Sequence, residues 1–183
     1  MSGDEITNPV LQQLDLLLTG YGYNFYNAKN RMRADDLLVR QKAAETLGLA
    51  ANALGALQGD YQRRYVPPGT REQPFPPAEQ MERLREIGQA RDRLSTLAAE
   101  IRGMPVPAQD RTWARIRDER SLLESLLQFD RALVGRIEEL ARTARELTAN
   151  AWHSGELYTG LEAQIERLAA VVQERRRLLQ TPF

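Results

Sequence analysis

Two proline-rich breaks limit what this chain can fold into. The first runs from Val66-Pro67-Pro68-Gly69 to Pro74-Phe75-Pro76-Pro77, and the second is Gly103-Met104-Pro105-Val106-Pro107. Proline has no amide donor and pushes the residue before it out of the helical region, so neither stretch continues a helix. Between the breaks, apolar residues recur in steps of three and four, and the alternation that marks a strand is absent. The reading is an all-α chain: an elongated antiparallel helical bundle of four to five helices. One domain spans residues 1–183, with proline-rich connectors at 66–77 and 103–109. At 183 residues, 42% of them hydrophobic, such a chain can bury a substantial core.

The first section opens at Asn8-Pro9, an N-cap residue followed by proline at the first helical position. Its stripe is Val10, Leu14, Leu17, Tyr21, Phe25, Ala28 and Met32, continued by Val39, Ala43, Leu47, Ala50, Leu54, Leu57, Tyr61 and Tyr65. This pattern fits one very long helix, or two that meet between residues 30 and 36 with Asp35 or Asp36 capping the second. Gly20 and Gly22 each cost a helix interior about 1 kcal/mol. The second section starts at Pro77, with Glu79 and Glu82 at the positive end of the helix dipole. It carries Met81, Leu84, Ile87, Leu94, Ala98 and Ile101 on one face and stops at Gly103. The third begins with Asp110 as N-cap and holds no proline before Trp152, which predicts a helix of roughly 40 residues. Leu126, Leu133, Leu140 and Leu147 repeat at sevens, flanked by Leu123, Leu127, Val134, Ile137, Ala141 and Ala144. A stripe that wide predicts at least two neighbouring helices. After a turn at His153-Ser154-Gly155, a last helix carries Leu157, Leu161, Ile165, Leu168, Val172 and Leu179.

Chemistry is constrained by what the composition lacks. There is no Cys, so disulfides, thiolate metal sites and Cys nucleophiles do not arise, and His153 is the only histidine. A di-iron carboxylate bundle needs a Glu-x-x-His on each of two helices, and zinc needs three or four ligands. Neither nucleotide-binding glycine motifs nor a nucleophile elbow occur. No catalytic, metal or cofactor residue is expected, and the protein reads as no enzyme. His153 next to the turn reads as a capping or surface residue. Acidic and basic residues balance at 25 each, so charge does not favour nucleic acid. No apolar run reaches the ~20 residues of a membrane span, and residues 1–20 lack the basic start of a signal peptide. The expected compartment is the cytoplasm.

The most unusual stretch is residues 20–30. Helical spacing puts Tyr21 and Phe25 in the core stripe, whereas Tyr23, Tyr26 and Asn30 fall on the opposite side near Leu16, Thr19 and Asn27. Tyrosine offers wide contact area with a polar tip, so Leu16, Tyr23, Tyr26, Asn27 and Asn30 form a candidate face for a partner protein or a second copy of the chain. Secondary candidates are Phe75 in its proline-rich loop, Trp152, His153, and Arg175-Arg176-Arg177 as a phosphate- or acid-binding tail. The favoured function is a non-enzymatic helical interaction protein: an adaptor, assembly factor or chaperone that self-associates as a homo-oligomer or binds a partner helix. One alternative is an amphipathic bundle that coats a lipid or polymer surface peripherally. Another is an enzyme or ligand sensor with a pocket between helices near residues 21–30.

Overall fold

The computed structural model describes residues 25–72, 74–104, 119–155 and 158–180, with side chains for 36–72, 74–104, 125–126, 128–155 and 160–177. Five helices appear among the described residues: α1 Phe25–Tyr65, α2 Ala78–Arg102, α3 Glu119–Glu146, α4 Ala149–Ser154 and α5 Tyr158–Gln180. No strand is present among them.

Both proline-rich breaks end helices. The first separates α1 from α2, with Pro77 as the residue before α2, and α2 closes at Gly103, whose amide donates to the Ala99 carbonyl while that of Met104 donates to Ile101. Within the first connector the chain doubles back tightly. A Cβ on Gly69 would lie 2.5 Å from the Pro74 carbonyl oxygen, so only glycine fits there. Helix α1 passes without interruption through residues 30–36, and Asp36 is a buried residue inside it rather than a cap. Residues 8–24, with Gly20 and Gly22, lie outside the described residues.

The expected helix of roughly 40 residues from Asp110 to Trp152 is not found. Asp110 lies outside the described residues, and α3 has 28 residues and ends at Glu146. The chain breaks at Leu147-Thr148 and restarts as α4, with Thr148 extended and its side chain accepting from the Ala151 amide at 3.2 Å. Gly155 then closes α4 at φ 81°, a left-handed conformation that favours glycine.

Contacts along the helices fix their directions. Arg91 of α2 donates to Gln58 of α1 at 3.0 Å, and Arg40 of α1 donates to the Met104 carbonyl just past α2, so these two helices are antiparallel. Arg93 of α2 pairs with Glu162 and Glu166 near the start of α5, and Glu100 faces Arg176 near its end at 3.6 Å, so α2 and α5 are parallel. Helix α1 packs on α2 and α3, and α5 on α3 and α2. The four long helices thus form a ring with α1 and α5 across a diagonal, and chain order takes α2 to α3 across the other diagonal.

One continuous core fills this ring. It takes Leu47, Leu54 and Tyr61 from α1, Ile87, Leu94 and Ile101 from α2, Leu133, Ile137 and Leu140 from α3, Trp152 from α4, and Ile165, Leu168 and Val172 from α5. The sevenfold leucines Leu126, Leu133, Leu140 and Leu147 are all buried, with Val134, Ile137, Ala141 and Ala144 beside them. A helix wedged between α1 and α5 needs that broad face. Met81 departs from the expected α2 stripe: it lies in the first turn, past the core, and is exposed. Trp152 is fully buried, and its indole donates to the Arg83 carbonyl at 3.2 Å, which ties α4 to α2.

Because Thr148 supplies the side-chain cap of α4, Thr148→Ala should cost about 1 kcal/mol. Urea unfolding followed by circular dichroism measures this, and Thr148→Ser should retain most of the stability.

Candidate functional site

Three places concentrate polar or exposed apolar groups. The first is a buried ion cluster. Arg175 of α5 has no exposure, and its guanidinium donates to Asp130 of α3 at 3.0 Å, to Asp36 of α1, and to the Met104 sulfur at 3.4 Å. Arg40, one turn after Asp36, donates to the same carboxylate at 3.1 Å and to the Met104 carbonyl. Two carboxylates and two guanidiniums make the group formally neutral, which is how buried charge is tolerated. Burial pushes the Asp130 carboxyl up to about 6 from an ordinary 3.8; attraction to Arg175 opposes the rise, and repulsion from Asp36 adds to it. Every member is enclosed by protein, and its partners are those that hold three helices and the end of α2 together. The cluster is a clasp.

The second place is the opposite end of the bundle. His153 stacks on Tyr65 with ring centres 4.0 Å apart and planes 6° apart, and its Nδ1 lies 3.1 Å from the Tyr61 hydroxyl. Tyr65 donates to Asn150 at 2.8 Å, and Arg64 reaches the same oxygen at 3.4 Å. Tyr61 is fully buried, and desolvation raises its phenol pKa against the pull of Arg83. These contacts dock α4 onto α1.

The third is a surface groove of about 490 Å³ between α1 and the α3–α4 junction. Its floor includes Ala53, Leu57, Ala144, Leu147 and Ala149, and its rim carries Asp60, Arg64, Arg145 and Asn150. The groove exists because alanines face one another where α3 breaks, leaving space that larger side chains would fill. Just before it on α1, Leu49 is 66% exposed and Leu38 42% exposed.

The residues singled out from the sequence are placed apart. Leu16 and Tyr23 lie outside the described residues; Tyr26, Asn27 and Asn30 lie in α1, ahead of the residues with described side chains. Phe75 is 81% exposed, at a bend of its loop, rather than tucked against the bundle. Trp152 is core, and His153 is the exposed member of the aromatic stack. The three arginines separate: Arg175 belongs to the clasp, Arg176 faces Glu100 at 3.6 Å, and Arg177 lies 3.6 Å from Glu174. They do not form one patch. Sequence reasoning missed the clasp and the groove. From the sequence Asp36 reads as a helix cap and Arg175 as part of a basic tail, although Asp36, Arg40, Asp130 and Arg175 all fall on or beside their helices' apolar stripes.

Among the described residues, no group of three or more His, Asp or Glu side chains is arranged to hold a metal ion. No helix of the described residues is long and apolar enough to cross a membrane. No protein-family model, curated protein or solved structure matches the chain.

Removing one member of a buried ion cluster strands the others, so Arg175→Met should cost about 3–5 kcal/mol. Replacing Asp36, Arg40, Asp130 and Arg175 together by apolar residues should cost much less, as urea unfolding of both variants will show. The pH response has a definite sign. Between about pH 4 and 6, folded Asp130 keeps a proton that the unfolded chain has released, so this group's contribution to stability falls as pH rises through that window. The stability of the wild type relative to Asp130→Asn should therefore decrease from pH 4.5 to pH 7, and a pH-independent difference would contradict the assignment.

Proposed function

We propose that the chain is a non-enzymatic helical interaction protein, acting as an adaptor, assembly factor or chaperone through self-association or a partner helix. The carrying observation is that α1 exposes large apolar side chains outside its core stripe. Its core stripe is buried from Val39 to Tyr61, while Leu37, Leu38 and Leu49 stand exposed outside that stripe. Leu38 and Leu49, in one sector of the helix, are the side chains we assign to the contact surface. The sequence pattern of Tyr23, Tyr26 and Asn30 extends the same idea toward the start of α1.

The polar clusters support the reading indirectly. The clasp is taken up in holding helices together, and the aromatic end docks α4 onto α1 while His153 stays exposed. An elongated bundle with one two-sided helix suits an adaptor, since the core and the contact face occupy different sides of the same element.

Native mass spectrometry of the full chain tests the proposal. A homo-oligomer without added mass is expected, and Tyr23→Ala with Tyr26→Ala should weaken it or the binding of a partner. A monomer carrying a small molecule would replace this reading with that of a ligand sensor.

A further inference from the structure

Resting on that interaction reading, we infer that the groove between α1 and the α3–α4 junction is a self-docking site that receives Leu49 of a second copy of the chain. The starting point is the disposition of α1. At about 100° per residue, Leu38, Lys42, Leu49, Ala53, Ala56, Asp60 and Arg64 lie in one sector of the helix, away from the core stripe. The first half of that sector projects, with Leu38 42% and Leu49 66% exposed. The second half is recessed, because Ala53 and Leu57 face Ala144 and Leu147 across the groove. A knob and a hole therefore sit side by side on one face of one molecule.

That arrangement is self-complementary under a two-fold axis. A surface that contacts its own copy must place each feature opposite its partner, and both contacts then form at once. An axis perpendicular to α1 and level with Ala51 runs the two α1 helices antiparallel and sets each Leu49 over the alanines at 53 and 56 of the other copy. Alanine lets the two backbones approach closely enough for leucine to fill the recess. The groove volume of about 490 Å³ leaves room for that one leucine side chain of the other copy and its neighbours.

Charge chooses this occupant over an unrelated helix. The same axis brings Lys42, 55% exposed, against Asp60, 33% exposed, on the other copy. Glu45 then falls level with Leu57, where Arg145 stands on the groove rim. Within one copy these charges are held by short-range pairs, Lys42 with Glu45 at 3.0 Å and Asp60 with Arg64 at 3.0 Å. Exposed pairs of this kind are worth little, so exchanging them across a dimer costs little. The Lys42–Asp60 and Glu45–Arg145 pairs favour the antiparallel register, in which Leu38 lies level with the Arg64 stem.

The test is analytical ultracentrifugation of the full chain, with circular dichroism melting to check each variant's fold. The wild type should form a dimer, and Leu49→Glu should weaken it by about tenfold or more. Leu49 is exposed, so its melting temperature should barely change at a concentration where both are monomeric. Lys42→Glu and Asp60→Lys should each weaken the dimer, and the two together should restore it. A monomeric wild type overturns the inference, as does a dimer that Leu49→Glu leaves intact. In the latter case self-association stands, through another face. A dimer broken by Leu49→Glu but untouched by Tyr23→Ala with Tyr26→Ala supports the groove and removes the tyrosine face.

Discussion

The clasp formed by Asp36, Arg40, Asp130 and Arg175 is the constraint to which the rest of the bundle answers. Apolar stripes alone allow helices to slide by a turn, since one leucine replaces another at similar cost. Buried ions do not allow this. A shift of α5 by one turn would carry Arg175 away from Asp130 and Asp36 and leave three charges in a dry interior. Desolvation penalties of several kcal/mol per ion make such a register unattainable. Both cations are arginine, whose planar fork of donors reaches several acceptors at once, as Arg175 does with Asp130 and Asp36.

Much of the fold was legible in the sequence because it is local. Helical period, proline and glycine mark α1, α2 and α5, and the wide leucine face of α3 announces two neighbours. The break at Leu147-Thr148 was not legible. No glycine or proline marks it, and its cause is tertiary: Trp152 must turn inward to reach the Arg83 carbonyl, and Thr148 can cap the restart. The clasp was hidden for a different reason. Asp36 and Arg175 are 139 positions apart, and each taken alone reads as a helix cap or a favourable charge at a helix end. Nothing in local spacing says that they meet. Of the candidate residues, Phe75 stands exposed, whereas Trp152 and Arg175 hold the structure together.

The two ends of the bundle solve one problem in different ways. At the clasp end, charge neutralisation joins α1, α3 and α5 around the end of α2. At the other end, stacking and neutral hydrogen bonds among Tyr61, Tyr65, Asn150 and His153 join α4 to α1. Between them the long sides of α1 divide into a core face and an exposed face.

The sequence separation of the clasp also bears on how the molecule assembles. Helices α1 and α2 are joined by a short connector, and α3 to α5 by the α4 turn, so each half closes loops of modest length. Arg175 reaches Asp36 only once both halves have docked, whereas its pairing with Asp130 lies within the second half, and the longer loop is the costlier to close. Interactions absent from the folding transition state act on the unfolding rate rather than on the folding rate. The clasp is thus placed to govern how long the native bundle lasts once made, while the apolar stripes govern how quickly it forms.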